Sequence, residues 1–192
     1  MTGRRIPELL PADMTPRQLD FHGRYTTGPR ADPSSPFRLS DERGVLLGPP
    51  SAWVLAPEIG LALEQLGWQM RYGIHLSDKG REAAILAVAY HERSPFELYA
   101  HEAAGRAAGF TDEDLAAIAE RRVPADADEE LVTVLEAAWR LLDAGTLDDA
   151  EFASAVDVLG LPRVFELVTL VGYYRMVALQ LAAFRILPPS SR

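Results

Sequence analysis

The chain has 192 residues, of which 48% are hydrophobic and 24% charged, with a formal net charge of −9 and no cysteine. That length suits one domain that buries its own core, and the missing cysteines exclude disulfides, thiolate metal sites and thiol redox chemistry. Acidity without a basic stripe argues against nucleic acid as a partner.

Residues 1–50 are rich in Pro, Gly, Ser and Arg and lack sustained helical periodicity, which predicts an extended N-terminal arm with one short helix near Pro16–Arg24. Phe21, Tyr25, Phe37 and Leu39 give this arm apolar groups to bury, over the core or a neighbouring subunit. From Pro57 the pattern turns helical. A first core helix carries Ile59, Leu63, Leu66 and Met70 on one face and ends near Gly73. A second starts at Ser77 or Asp78 and runs to about His91, with Ala84, Ile85, Val88 and Ala89 as its stripe.

The third helix opens at Ser94-Pro95-Phe96-Glu97 and stops at Gly109; Ala103, Ala104, Ala107 and Ala108 would let a neighbouring helix approach closely. Thr111 caps a fourth, and a fifth spans Glu129–Leu142. A sixth ends at Gly160, and the seventh, apolar around most of its circumference, runs towards Pro188. Such a helix is central to the core or shared with another subunit. Strand signals are absent, so residues 51–192 read as an all-α domain of about seven helices. Nothing resembles a signal peptide, and charges interrupt every apolar stretch; the expectation is a cytoplasmic protein with no membrane partner.

Three proton-handling groups, Glu82, Glu97 and His101, fall on the second and third of these helices. Glu97 and His101 are spaced i, i+4 and share a helix face, where they can share a proton; Glu82 joins them only through tertiary packing. A bland reading competes. Ser94 and Glu97 fit a capping box, Glu82 sits in a first turn where the helix dipole favours a carboxylate, and Glu97 is the obvious ion-pair partner for a buried His101. A metal site completed by Glu82, His91 or His75 lacks a second histidine pair, and Ser94 has no nucleophile elbow around it. Neither a metal nor a cofactor is expected.

The segment 77–109 resembles the core of the carboxymuconolactone decarboxylase family, which includes the alkyl hydroperoxidase D proteins. Family cores read as an Arg-Glu pair opening one helix and Cys-x-x-Cys-x-x-x-His opening the next. Here Arg81-Glu82 matches the first part, and Ser94-x-x-Glu97-x-x-x-His101 stands in place of the second. The stretches LLGPPSAWVLAPEIG and GLPRVFELVTLVGYYRMVALQLAAFRI extend the likeness from about residue 37 to the end.

The resemblance implies an alkyl hydroperoxidase D-like helical bundle, a homo-oligomer built as a trimer or a multiple of one, and a non-redox branch. It further implies a cofactor-independent lyase or isomerase for a small lactone, keto acid or related carboxylated substrate. Glu97 and His101 would carry the proton, Glu82 would orient His101 or relay the proton, and Arg81, Arg71 or Tyr99 would bind an anionic oxygen. The alternatives are a noncatalytic small-ligand or partner-binding protein that retains the fold, and a peroxidase-superfamily member without thiol redox activity.

Overall fold

The structure, a computed structural model, describes residues 3–27 and 38–189. Phe37 and most of the Pro/Ser-rich run before it lie outside the described residues. The described elements are α1 (Pro16–Thr26), α2 (Pro50–Trp53), α3 (Pro57–Tyr72), α4 (Asp78–His91), α5 (Pro95–Ala107), α6 (Asp112–Ala119), α7 (Glu129–Ala144), α8 (Asp149–Leu159) and α9 (Leu161–Phe184). Among the described residues the only β pairing is an isolated antiparallel bridge between Ser40 and Leu46. The seven helices expected from Pro57 onward are all present. Two more, α1 and α2, come from the arm and its junction.

Local chemistry sets the helix ends. The Ser77 hydroxyl accepts from the Gly80 amide to start α4, Asp128 accepts from Leu131 to start α7, and Thr111 and Asp148 form full capping boxes on α6 and α8. α4 lies at the centre: every residue from Glu82 to Ala89 is buried, and its short alanines let α5, α7 and α9 pack around it. Over that stretch the helix has no outer face to carry polar residues, so its one charged member, Glu82, must find partners inside.

Two expectations are corrected. The buried face of α3 carries Gly60, Glu64 and Met70, while Ile59 is 64% exposed and Leu66 is also exposed; a Cβ at Gly60 would run into the Trp53 carbonyl, so close packing against α2 sets the rotation of the helix. On α5 the tight approach is at Gly105, against Leu86, Phe110 and Leu115, and the alanine face is half-buried or exposed. In the arm, the expected short helix is present as α1 and runs two residues further, to Thr26. α1 packs on α3 and buries Phe21 and Tyr25 completely, each worth roughly 1.5–3 kcal/mol of transfer free energy.

α9 is long and apolar enough to cross a bilayer by length and composition. One side of it, including Val164, Leu167, Leu170, Val171, Tyr174 and Leu181, is buried against the bundle. The Trp53 Nε1 donates to Gln180 Oε1 at 2.7 Å and the Tyr173 hydroxyl to the Leu63 carbonyl at 3.2 Å, tying α9 to α2 and α3.

Candidate active site

His101 and Glu82 meet between α5 and α4, with Nδ1 and Oε2 2.7 Å apart and both side chains buried. The partner of His101 is therefore Glu82 and not Glu97, one turn away on the same helix. Burial alone would push the Glu82 carboxyl up, but His101, Arg71 and Arg81 reverse this and hold it below the ordinary carboxylate value. For His101 burial dominates and lowers its pKa, against the pull of Glu82. The pair is thus an ionised glutamate beside a neutral imidazole. That charge state places the shared proton on Nδ1 and leaves Nε2 unprotonated.

Glu97 behaves in the opposite way. It is buried at the start of α5, and neither carboxyl oxygen makes a hydrogen bond of good geometry among the described residues. Burial raises its pKa to about 8; the neighbouring Ser94 hydroxyl favours the ionised form without offsetting that cost, and Glu92 adds repulsion. The expected capping box is not formed, for the Ser94 side chain accepts no cap hydrogen bond. Glu97 has turned away from the helix end and into the interior.

Both groups line a cavity of about 70 Å³ enclosed by Arg71, Tyr25, Trp53, Phe96, Tyr173 and Tyr174, with Leu39, Pro49 and Pro50 of the arm region at its edge. Tyr174 stands edge-on to His101, ring centroids 5.1 Å apart. Its phenol is pushed up to about 12, chiefly by burial, so it stays a hydrogen-bond donor at neutral pH. Arg71 faces it; burial works against the guanidinium charge, and Tyr174 and Glu82 outweigh that.

Residues 57–139 match the carboxymuconolactone decarboxylase family. The match covers under half of the chain, and over it the chain is similar to that family. Among solved structures, the chain is similar to an uncharacterized peroxidase-related protein with an alkylhydroperoxidase AhpD core from Ralstonia eutropha JMP134, at 13% identity and a TM-score of 0.76 over 97% of this chain and 93% of that one. It is also similar to an uncharacterized peroxidase-related protein from Silicibacter sp. TM1040, at 19% identity and a TM-score of 0.64 over 73% and 75% of the two chains. A third is a protein of unknown function from Agrobacterium tumefaciens, a putative AhpD antioxidant defence protein, at 16% identity and 0.63 over 73% and 97%. At these identities the likeness is one of fold. No curated protein matches the chain.

Around this cavity the sequence-derived residues divide. Glu97, His101 and Arg71 line the cavity, and Glu82 stands behind His101. Arg81 does not line it: its guanidinium pairs with Asp78 at 2.7 Å and Glu82 at 3.3 Å. Tyr99 is 40% exposed and packs edge-on against Phe96, outside the cavity. His75 is exposed and bonded to Glu166, and His91 lies exposed at the end of α4, so neither approaches Glu97. No group of three His, Asp or Glu side chains suited to a metal ion occurs among the described residues. Sequence reasoning missed Tyr173, Tyr174 and Trp53 as lining residues, because aromatics at helical spacing are indistinguishable from ordinary core.

Proposed function

We propose that this cavity is the acid–base site of a cofactor-independent lyase or isomerase acting on a small carboxylated compound, a lactone or keto acid. The single observation that carries the proposal is Glu97, a buried carboxyl without a good hydrogen bond, poised near pH 8 and facing the same space as a neutral histidine. A group so placed is mostly protonated at neutral pH and can deliver a proton to carbon or to an enolate oxygen.

In the decarboxylating form, the bond to the carboxylate breaks, CO₂ leaves, and its electron pair enters an enolate stabilised by Arg71 and the Tyr174 hydroxyl. Glu97 protonates the resulting carbanion and is left ionised in an apolar setting, which drives recovery of its proton. In the isomerising form, His101 Nε2 removes a proton beside the carbonyl and Glu97 returns one elsewhere. Glu82 is a positioning residue in both, fixing the tautomer of His101. A cavity of about 70 Å³ is below the usual range of roughly 300–1,000 Å³ for ligand sites, so a substrate of more than a few heavy atoms requires the arm to withdraw.

The test is turnover across lactones, β-keto acids and related carboxylates, followed by CO₂ release and by solvent deuterium uptake. Glu97→Gln should lower kcat by roughly 10²–10⁴-fold with the fold intact; retained turnover refutes the role. The small volume favours one other reading, a noncatalytic binder. A compound that binds the native chain in calorimetry and is neither converted nor labelled would establish it.

A further inference from the structure

The hydrogen-bond donors around the cavity decide how much charge an occupant can carry, and several of them are already committed. The Trp53 Nε1 donates to Gln180 and the Tyr173 hydroxyl to the Leu63 carbonyl. His101 spends its Nδ1 proton on Glu82, and its Nε2 is an acceptor. Among the described lining residues Arg71 is the one cation. It stands beside Tyr174; a guanidinium has only donors, so the phenol proton is left for a ligand. Arg81, the next cation along, is held outside the cavity by Asp78 and Glu82.

This inventory provides one place for an anion. A carboxylate between Arg71 and the Tyr174 hydroxyl makes charge-assisted contacts. A second carboxylate on the same molecule has only Glu97 to turn to. It shares a single proton there and keeps its charge beside Phe96 and Val177, in an apolar setting with no cation and with the ionised Glu82 behind His101. At an ordinary exposed arginine a dianion is attracted more strongly than a monoanion; here the order is reversed.

The reaction needs no more than one charge either. When the bond to the carboxylate breaks, its electron pair passes to a carbonyl at position 3 and neutral CO₂ leaves. The same single charge reappears on the enolate oxygen, where the same guanidinium meets it. Length follows from volume. At roughly 10–15 Å³ for each water-sized group, a cavity of about 70 Å³ has room for about five to seven of them.

We infer that the cavity is specific for a short 3-oxo monocarboxylate, with Arg71 and Tyr174 on its one carboxylate and with dicarboxylates refused by Glu97 and the apolar wall. The inference rests on the acid–base reading of this site and adds to it the charge and length of the substrate. Acetoacetate and malonate are equal in heavy atoms and differ by one charge. In calorimetry on the full native chain at neutral pH, acetoacetate should bind at least about tenfold more tightly than malonate. Monomethyl malonate, which keeps the malonate skeleton and loses one charge, should recover most of that difference. Arg71→Gln should weaken both monoanions by roughly 10–100-fold with circular dichroism unchanged; the ranking of the three ligands on the native chain decides the matter even where that variant does not fold. Malonate bound as tightly as acetoacetate, a monoester bound no better than malonate, binding of the monoanions indifferent to Arg71→Gln, or no binding of any of the three overturns the inference. Turnover of other carboxylates in those cases still upholds the acid–base site. Acetoacetate preferred over malonate but neither converted nor labelled has the opposite meaning: the charge selection stands and the catalytic reading falls.

Discussion

Two buried glutamates are shifted in opposite senses, because one faces His101, Arg71 and Arg81 while the other has only the Ser94 hydroxyl, which does not offset its burial. Glu82 is held below its ordinary pKa, so its contribution to stability is present above the unfolded carboxylate value and lost as pH falls through the depressed folded one. Glu97 is raised from 4.5 to about 8; its folded form binds the extra proton, and stability falls as pH rises through that window, by at most about 1.4 kcal/mol per pH unit. Glu97→Gln should therefore flatten the stability profile between those limits and leave the variant more stable than the native chain above pH 8, read as Tm against pH. Glu82→Ala should do the reverse at neutral pH, with a loss of about 3–5 kcal/mol in urea unfolding, since it removes the carboxylate that holds His101 and faces the buried Arg71. Equal losses from both would contradict the assigned charge states. The Arg-Glu and Glu-x-x-x-His spacings pointed to all three groups, but i, i+4 proximity on one helix gave His101 the wrong partner. The pairing depends on how α4 crosses α5, which no local spacing encodes.

The arm is the element whose structure most changes the site. α1 and the segment through Pro50 contribute Tyr25, Leu39 and Pro49 to the cavity wall, and the turn that seats them runs through Gly48. Gly48 has φ +61°, and a Cβ there would fall on the Phe96 ring. Gly48→Ala should cost on the order of 1–3 kcal/mol and should also raise KM, because Phe96 is displaced from the cavity; a stability loss with unchanged KM would separate the arm from the site. Phe21→Ala, wholly buried between α1 and α3, should cost about 3–5 kcal/mol. The helix near Pro16 was legible from its Thr15 cap and Pro16, whereas the rest of the arm was not. Its proline-rich composition reads as extended chain, and only its apolar groups Phe21, Tyr25, Phe37 and Leu39 hinted that it would be pinned to the bundle.

At the scale of the whole molecule, the all-helical class, the seven core helices and the family segment follow from the chain alone, for physical reasons. Period-3.6 apolar patterns, caps at Ser77 and Thr111, and the stops at Gly73, Gly109 and Gly160 are local codes, read without knowing what lies across the core. The absence of cysteine likewise settles from sequence that no thiol reaction runs here.

What only the tertiary structure decided is which face each helix buries and which charges meet. Ile59 points outward and Glu64 inward on α3 because the close approach to Trp53 at Gly60 outweighs the apolar count of either face. Glu97 loses its cap and enters a cavity walled by aromatics from α1, α2, α5 and α9, elements far apart in the chain. Burial and partnership, which set the chemistry of a carboxyl group, are properties of the assembled helices; the residue types and the periods that build those helices are properties of the sequence.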